Sequence, residues 1–514
     1  MNLLSYSSPE LSHYTDEARI NAEAVQLLRC SQFSAAETLL LHGLSRYPGG
    51  EQLRANLLRL YLNTGRIGLA VEMVRTLSPE PLTLQLAALC GQIALQCSHP
   101  ELGYTFFSRS LKLAANDPSL LLPWAQCCIA IGRLSEAEAV LMNLCHRFPD
   151  AIEPALTLAI CQSELGLFTE ALACYTALQA GAPGHPLVLI NKAKLHHHLG
   201  QDELAEATLR QLPDSQLDSL DNQLLLADVL FASGQKSKAQ SIWRSLVTNN
   251  LAEFRAVVPL LYSALESGDH DVLVAGVRAA TTAADAVAYP TRFWSVLADC
   301  PRAVQQDIGP ADWFAPEQLV QQSQLFEDGD TSLLLLHDWV LNHPTLLANR
   351  ASKPTQGGSQ THELLADASK MAADFKQLLL PSLKDYLQRH STHPALSSLR
   401  SILDIRDAVL DSAVRWSGWG VVLNSGGWQR RHTHPESVIS GVLYLAVPAA
   451  KGPDHPGEGC LAFSAYGMES ALDNASPLVH PKPGLLVLFP SFMPHETIPT
   501  LSDEPRICIA FNVF

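Results

Sequence analysis

The chain has 514 residues, of which 47% are hydrophobic and 17% charged, and its formal net charge is -16 at pH 7. This length is too great for one ordinary domain, and the composition is that of a globular protein. The acidic balance argues against a nucleic-acid partner, whose phosphates require Lys and Arg, and against binding to an anionic membrane surface.

The sequence also lacks the signals of a membrane or secreted protein. It contains no run of about 18 consecutive apolar residues, so we expect no membrane-spanning helix. Its first residues lack the basic and apolar segments of a secretory signal. The 11 cysteines are scattered, mostly at apolar positions of predicted helices, as is typical of buried, reduced thiols. We therefore expect a cytoplasmic protein.

A turn residue followed five positions later by a small residue recurs along the first half of the chain. The turn residues are Ser31, Gly65, Ser98, Gly132, Gly166, Gly200 and Gly234, and the small residues are Ala36, Ala70, Gly103, Ala137, Ala171, Ala205 and Ala239. From Gly132 to Gly234 the spacing is 34 residues each time, and Gly268 fits the start of a degenerate eighth repeat. This regularity predicts a stack of helical hairpins in which each small residue allows close packing.

A helix–turn–helix period of 34 residues resembles the tetratricopeptide repeat, and the match covers roughly residues 17 to 270. The resemblance implies an all-α superhelix, to which we assign residues 1–275. It also implies a concave groove that binds a protein or an extended peptide.

The remaining chain changes character twice. Residues 276–334 keep a helical pattern interrupted by prolines, which predicts a helical cap or linker. Within residues 335–514, a Gly-rich segment at 353–361 predicts a loop, and residues 362–391 show the period of a helix. After Trp416, short runs rich in β-branched and aromatic residues predict strands. The fold class is therefore multidomain α + β.

Three histidines are placed around these predicted strands. His432 and His434 are separated by one residue, His495 follows a later strand, and Arg506 comes eleven positions after His495. Residues i and i+2 of a strand point to the same face, so one strand can present two imidazoles to a metal. Imidazole nitrogen suits iron. This pattern predicts a mononuclear iron site.

The same region resembles the iron(II)/2-oxoglutarate-dependent oxygenases, and most closely a bacterial branch that is often fused to tetratricopeptide repeats. The resemblance is carried by four motifs: His432-Thr433-His434-Pro435, Ser440-Gly441-Val442-Leu443-Tyr444, Phe489-Pro490-Ser491-Phe492-Met493-Pro494-His495 and Arg506-Ile507-Cys508-Ile509-Ala510-Phe511-Asn512. It implies a double-stranded β-helix, or jelly roll, with supporting helices over residues 335–514. It also implies Fe(II), with 2-oxoglutarate and molecular oxygen as co-substrates.

Carried over by position, the resemblance makes His432 the first iron ligand and His495 the last. The family's middle ligand is an Asp or Glu, and here that position holds His434. A neutral ligand in place of a carboxylate leaves the site about one charge unit more positive. An alternative frame uses His434 and Glu436 as ligands, with His432 in a supporting role. Pro435 disfavours it, because proline disturbs the strand that would aim Glu436 inward.

The resemblance also assigns the co-substrate site. Arg506 corresponds to the residue that pairs with the far carboxylate of 2-oxoglutarate, a task suited to the guanidinium fork. Tyr444 stands where relatives place a phenol that donates to the same carboxylate. Ser440, Cys508 and Asn512 are further candidates for contact with the co-substrate or for ligand orientation.

The implied function is a non-haem dioxygenase that hydroxylates a protein or peptide recruited by the repeat array. One alternative is a cupin-type three-histidine dioxygenase that does not use 2-oxoglutarate, in which Arg506 would have no role. Another is a tetratricopeptide scaffold with an inactive jelly roll. Succinate formation from 2-oxoglutarate separates these hypotheses.

Overall fold

The computed structural model describes residues 16–249, 254–268, 291–300, 305–306, 310–348, 354–365, 369–396, 399, 414–434, 436–449, 457–463 and 477–514. The chain divides into two compact units, Met1–Cys161 and Gln162–Phe514. None of the helices in the described ranges combines the length and apolar character needed to cross a membrane. All 11 cysteines are free thiols.

Helices joined by short turns make up the described part of the first unit, and further helices follow in the second. Those that begin in the first unit are α1 (Glu17–Arg29), α2 (Phe33–Arg46), α3 (Glu51–Asn63), α4 (Ile67–Arg75), α5 (Leu84–Gln96), α6 (Pro100–Leu113), α7 (Pro118–Ala130), α8 (Leu134–Arg147) and α9 (Ile152–Glu164). The second unit continues with α10 (Phe168–Gly181), α11 (Pro186–His198), α12 (Asp202–Leu209), α13 (Asp214–Leu217), α14 (Leu220–Ala232), α15 (Lys236–Asn249), α16 (Phe254–Ser267) and α17 (Thr291–Asp299).

The repeat pattern corresponds directly to this helical structure. All eight expected turn positions, from Ser31 to Gly268, adopt positive φ angles, and at Ser31 and Ser98 a non-glycine residue takes this conformation. Ala36, Ala171 and the other alanines at the small positions are completely buried. At Gly103 an added Cβ would lie only 2.7 Å from Cys127 Sγ. The predicted array of tetratricopeptide-like hairpins is therefore confirmed.

The segment between the array and the predicted jelly roll is only partly described. The helix that would complete a repeat after Gly268 falls within residues 269–290, outside the described residues. The short elements that follow α17 are a 3-10 turn (Ala311–Phe314) and α18 (Pro316–Leu319). The predicted cap also contains strand β1 (Gln321–Gln324), which pairs with a strand of the C-terminal sheet.

The C-terminal strands of the described residues form one antiparallel sheet. After β1 they are β2 (Leu347–Ala348), β3 (Thr355–Gln360), β4 (Trp416–His432), β5 (Ile439–Ala446), β6 (Leu461–Ala462), β7 (Leu478–Val479), β8 (Leu485–Pro490), β9 (His495–Thr497) and β10 (Arg506–Val513). Their order is β1-β8-β5-β10-β4-β9-β6-β7, and β3 pairs with both β2 and β4. Together with α19 (Thr331–Leu341) and α20 (Lys370–Arg389), this sheet confirms the predicted jelly-roll domain with supporting helices.

The loop expected at 353–361 is wrong, because residues 355–360 form strand β3. The glycines that suggested a loop are required by close strand packing. A Cβ added at Gly358 would lie 2.4 Å from the Val422 carbonyl of β4. The register between β3 and β4 also shifts between Gln356 and Gly358. Glycine here marks a bulge in a strand and not a turn.

The two faces of the sheet belong to different apolar cores. Residues such as Val422, Leu443 and Ile509 pack with helices α19 and α20. Their neighbours Val421 and Tyr444 pack on the opposite face with helices α16 and α17. Alternation along each strand sends successive side chains to opposite faces, so both faces of the central strands are covered.

Candidate metal centre

The long strand β4 and the short strand β9 bring two of the three histidines together. His432, the last residue of β4, is directly paired with His495, the first residue of β9. Directly opposite residues of an antiparallel pair have neighbouring side chains on the same face. The two imidazole ring centroids are 4.3 Å apart. Strand register therefore places two histidines from distant parts of the sequence side by side.

His434 reaches the same place in a way that the sequence did not predict. Strand β4 ends at His432, so the expectation that one strand carries both His432 and His434 is wrong. The backbone N–H of His434 instead donates to the Ser491 carbonyl, at 3.0 Å. This bond ties the segment after β4 to the turn before β9, and the His434 ring centroid lies 4.9 Å from that of His432 and 5.1 Å from that of His495.

The three imidazoles form one compact group of potential ligands. Their nearest ring nitrogens all lie within 4.8 Å of one another. Two nitrogens on one ion lie at most about 4 Å apart, twice the usual metal–nitrogen distance. Small side-chain rotations would therefore suffice for all three to bind a single ion.

Backbone hydrogen bonds select which nitrogen of each ring is available. The Nδ1–H of His432 donates to the Arg430 carbonyl at 2.6 Å, and that of His495 donates to the Met493 carbonyl at 2.9 Å. A histidine whose Nδ1 is held in this way presents Nε2 to a metal. The carbonyls thus fix both the tautomer and the orientation of these two rings.

The environment also favours neutral imidazoles, the form that binds metal. Burial lowers the pKa of His432 to about 4. Burial, followed by the charges of His432 and Arg431, lowers the pKa of His495 well below its usual range. Because protons do not compete for these nitrogens near neutral pH, the donor set fits a borderline cation such as Fe(II).

Arg506 lies at the start of β10 and faces the same cavity as the histidines. It is only 2% exposed. One terminal nitrogen donates to the Tyr444 hydroxyl at 3.1 Å. The other terminal nitrogen and Nε have no hydrogen-bond partner among the described residues. A buried cation with unsatisfied donors is costly, and two donors on one guanidinium match a carboxylate ligand.

Tyr444 complements Arg506. Burial raises the pKa of Tyr444 to about 12, so the phenol keeps its proton at neutral pH. Its oxygen accepts from Arg506, which leaves its own O–H free to donate to a ligand oxygen. The pair presents three donors to one anionic group.

The other predicted site residues take different positions. Cys508 lines the cavity and is buried. Ser440 also lines it, but its hydroxyl bonds to Ser491 Oγ and to Asn512 Oδ1, both at 2.8 Å. Asn512 thus supports the cavity wall through Ser440. Glu436 is exposed to solvent, so the geometry favours the three-histidine set over the alternative that uses Glu436.

Two residues that sequence reasoning missed also face the cavity. Thr497 is 1% exposed, and neither its hydroxyl nor the Trp419 indole N–H has a hydrogen-bond partner in the described part of the chain. The Trp419 ring centroid is 5.5 Å from that of His434. Thr497 stands two positions after His495 on β9, and this spacing could have identified it. Trp419 gives no such signal in the sequence.

Comparison with models of protein families agrees with this geometry. Residues 417–512 match the sequence model of a family described as "Putative 2OG-Fe(II) oxygenase". None of the curated proteins is similar enough in sequence to count as a match.

Solved structures resemble the two parts of the chain separately. A tetratricopeptide repeat protein from Parabacteroides merdae has 14% identity and a TM-score of 0.39, covering 48% of this chain and 98% of its own. A tetratricopeptide repeat protein from Thermus thermophilus has 18% identity and a TM-score of 0.31, covering 36% of this chain and 100% of its own.

A prolyl-4-hydroxylase from Pseudomonas putida has 18% identity and a TM-score of 0.26, covering 40% of this chain and 96% of its own. These scores are low, so the fold assignment rests on the helices and strands themselves. The chain thus combines tetratricopeptide-like helical hairpins with a C-terminal region that matches the 2OG-Fe(II) oxygenase family.

Proposed function

We propose that this protein is a non-haem Fe(II)/2-oxoglutarate-dependent dioxygenase that hydroxylates a protein or peptide recruited by its helical array. His432, His434 and His495 would hold the iron, and Arg506 with Tyr444 would hold the far carboxylate of 2-oxoglutarate. The observation that carries this proposal is the buried Arg506 guanidinium, whose two unpartnered nitrogens share a cavity with the three imidazoles.

This arrangement favours 2-oxoglutarate chemistry over a cupin-type dioxygenase. A cupin-type reaction has no need of a buried guanidinium beside the metal. A dicarboxylate co-substrate requires an anion-binding group deeper in the same cavity, which Arg506 and Tyr444 provide. It also supplies the negative charge that the His434 position, a carboxylate in the family, does not.

When bound, iron and 2-oxoglutarate supply the oxidising chemistry that places one oxygen atom of O2 on a substrate carbon. The chain's own residues would bind and orient iron and 2-oxoglutarate, and would exclude water from the cavity. Val442 and Phe489 form apolar walls of the cavity, which strengthen the charge-assisted bonds of Arg506 by keeping the local dielectric low. The Nδ1 bonds of His432 and His495 hold the rings so that little reorganisation accompanies metal binding.

The array supports the choice of a polypeptide substrate. On helices α14 and α16 a cavity is lined by apolar side chains, including Leu224 and Val258, by the Asp228 carboxylate and by the ion pair of Asp221 with Arg255. Such a mixed surface suits the side chains of a bound peptide. The free thiols support the cytoplasmic location that we propose for the protein.

Succinate formation by the full-length chain, given Fe(II), 2-oxoglutarate and O2, tests the reaction class. Arg506→Ala should abolish succinate formation while iron binding is largely retained, because Arg506 contacts the co-substrate and not the metal. Arg506→Lys should restore little activity, since an ammonium cannot make the two parallel bonds. Arg109→Ala, which removes a bonded arginine of the array, is the matched control and should turn over normally. Wild-type succinate formation by Arg506→Ala would overturn the proposal.

Recruitment by the array is tested with proteins captured by the chain. Captured proteins are incubated with 2-oxoglutarate and either wild-type chain or His495→Ala, and are then analysed by mass spectrometry. We expect one of them to gain the mass of one oxygen atom only with the wild-type chain. If none does while succinate is still produced, the substrate is a small molecule and not a polypeptide.

A further inference from the structure

Helix α17 contacts both of the segments that carry the candidate metal ligands. At its C-terminal end, the Asp299 carboxylate forms an ion pair with Arg431, the residue before His432. Near its start, the Trp294 ring lies 5.7 Å from the ring of Phe492, three residues before His495. One helix thus touches β4 and the turn before β9, whose pairing brings the two histidines together.

The preceding helix, α16, strengthens this contact. The Tyr262 hydroxyl donates to Asp299 Oδ2 at 2.9 Å, while Asp299 Oδ1 accepts from Arg431. The Asp299 side chain has no exposed surface, and the Arg431 side chain is 28% exposed. A buried carboxylate held on both oxygens has a well-defined position, so Arg431 is anchored to a rigid point.

Anchoring Arg431 affects His432 because the two residues are neighbours on one strand. Side chains of successive residues point to opposite faces; Arg431 reaches Asp299 while His432 faces the metal cavity. A shift of Arg431 therefore rotates or displaces the strand end that carries His432. The bond from His432 Nδ1 to the Arg430 carbonyl lies in the same short stretch of backbone.

Charge gives a second reason for the contact. The site lacks the carboxylate ligand usual in the family, so a metal cation here has no anionic ligand from the protein. An unpaired Arg431 guanidinium nearby would add to the positive potential. Asp299 offsets that charge, and the effect is large where water is scarce.

We propose that Asp299, on α17, and Tyr262, on α16, the last described helix of the array, are positioning residues for the metal site. The proposal rests on the proposed function and deepens it: the last described helix of the array and the helix that follows it, α16 and α17, are part of the metal site's supporting structure. Neither residue touches the metal, so their effect is carried by Arg431 and the strand end.

Cobalt(II) alone serves as the probe, since its absorption spectrum reports both affinity and ligand geometry without turnover. Titration of the full-length chain should show that Asp299→Asn raises the dissociation constant about tenfold, the lower end of the usual effect of residues behind metal ligands. Tyr262→Phe, which removes only the hydroxyl, should raise it about threefold, as the loss of one hydrogen bond predicts. Both variants should also alter the cobalt spectrum, and Asp299→Glu should recover part of the affinity.

Tyr386→Phe is the matched control. Tyr386 is a buried phenol, whereas Tyr262 is partly buried, and the Tyr386 hydroxyl donates to the Leu319 carbonyl at 2.9 Å, on the face of the sheet that packs against α20. It should lower the melting temperature about as much as Tyr262→Phe while leaving cobalt affinity and spectrum unchanged.

The outcomes separate the two proposals. If His495→Ala binds cobalt as well as the wild type, the metal site itself is wrong. If His495→Ala loses cobalt but Tyr262→Phe and Asp299→Asn bind it normally, the positioning role is overturned and the metal site stands. Should Asp299→Asn fail to fold, Tyr262→Phe decides alone.

Discussion

The helical array and the strand-rich domain differ in how they treat buried polar groups. In the array, the buried Thr208 hydroxyl donates to the Leu204 carbonyl at 2.7 Å, and the buried Ser110 hydroxyl donates to the Phe106 carbonyl at 3.0 Å. Around the metal cavity, four buried atoms of Trp419, Thr497 and Arg506 have no such partner among the described residues. Isolated cases such as Trp243 Nε1 occur in the array too.

The difference is that the unpartnered polar atoms of the C-terminal domain lie around one cavity, whereas those of the array are scattered. Buried polar groups without partners destabilise a fold, so several of them around one cavity require an explanation that scattered single cases do not. A ligand that accepts hydrogen bonds provides it. In the array the buried polar groups are satisfied by local, repeated contacts, whereas those around the cavity would be satisfied by the 2-oxoglutarate that we propose binds there.

The largest expected effect comes from removing a metal ligand. His495→Ala should lower iron affinity by at least about 100-fold, more than the loss of a residue behind the ligands, and should reduce succinate formation to background. Iron binding is measured anaerobically on the full-length chain. His480→Ala is the matched control, because His480 is an exposed histidine whose ring contacts Cys460.

The same variants also test whether iron binds in this cavity and not elsewhere in the protein. Fe(II) should raise the melting temperature of the wild type and of His480→Ala, because a ligand that binds only the folded state stabilises it. The same concentration should leave His495→Ala unchanged. Equal stabilisation of all three proteins would show that iron binds elsewhere.

The next effect concerns stability in the array. Ala171→Trp places a large side chain at a completely buried small position and should cost about 1–3 kcal/mol or more through overpacking. Iron affinity should stay at the wild-type value, since the contacts of each hairpin are mainly with its neighbours.

Glu170→Trp is the matched control, because Glu170 is the preceding residue on the same helix and is exposed. It should change the unfolding free energy by less than about 0.5 kcal/mol. A loss of iron binding by Ala171→Trp would show that the comparison is wrong and that the array and the metal cavity form one cooperative unit.

The array could be predicted almost completely from sequence because its determinants are local. Each turn and each small residue lie five positions apart, and the period repeats, so a single wrong assignment is corrected by its neighbours. The candidate ligands His432, His434 and His495 were also predicted, from their spacing around predicted strands and from a family resemblance. The pairing of His432 with His495 depends on strand register, which the sequence does not reveal directly.

Other features could not be predicted, for physical reasons. His434 lies beyond the end of β4, and its backbone N–H donates to the Ser491 carbonyl. The alternation of side chains along a strand does not predict the direction of a side chain that lies outside a strand. The ion pair between Asp299 and Arg431 joins residues 132 positions apart. No short-range pattern marks such a contact. The helical pattern interrupted by prolines placed Asp299 in the predicted cap, to which the sequence assigned no part of the site.

The smallest expected effect compares one substitution in the two regions. Thr208→Val removes a hydroxyl that is bonded within the array and should cost about 1 kcal/mol of unfolding free energy. Thr497→Val removes a buried hydroxyl that lacks a partner, so it should leave stability unchanged or raise it by up to about 1 kcal/mol.

The KM for 2-oxoglutarate should change in the variant whose stability does not fall, Thr497→Val, and stay the same in Thr208→Val. Thr497 shares the cavity with Arg506, so we expect its hydroxyl to bond 2-oxoglutarate, and Thr497→Val should raise the KM for 2-oxoglutarate about three- to tenfold, as the loss of one hydrogen bond predicts. Thr208→Val should leave this KM unchanged. An unchanged KM in Thr497→Val would mean that its hydroxyl does not contact the co-substrate. A loss of stability in that variant, equal to that of Thr208→Val, would mean that the hydroxyl is satisfied within the fold, and the contrast between the two regions would then rest on Arg506 and Trp419 alone.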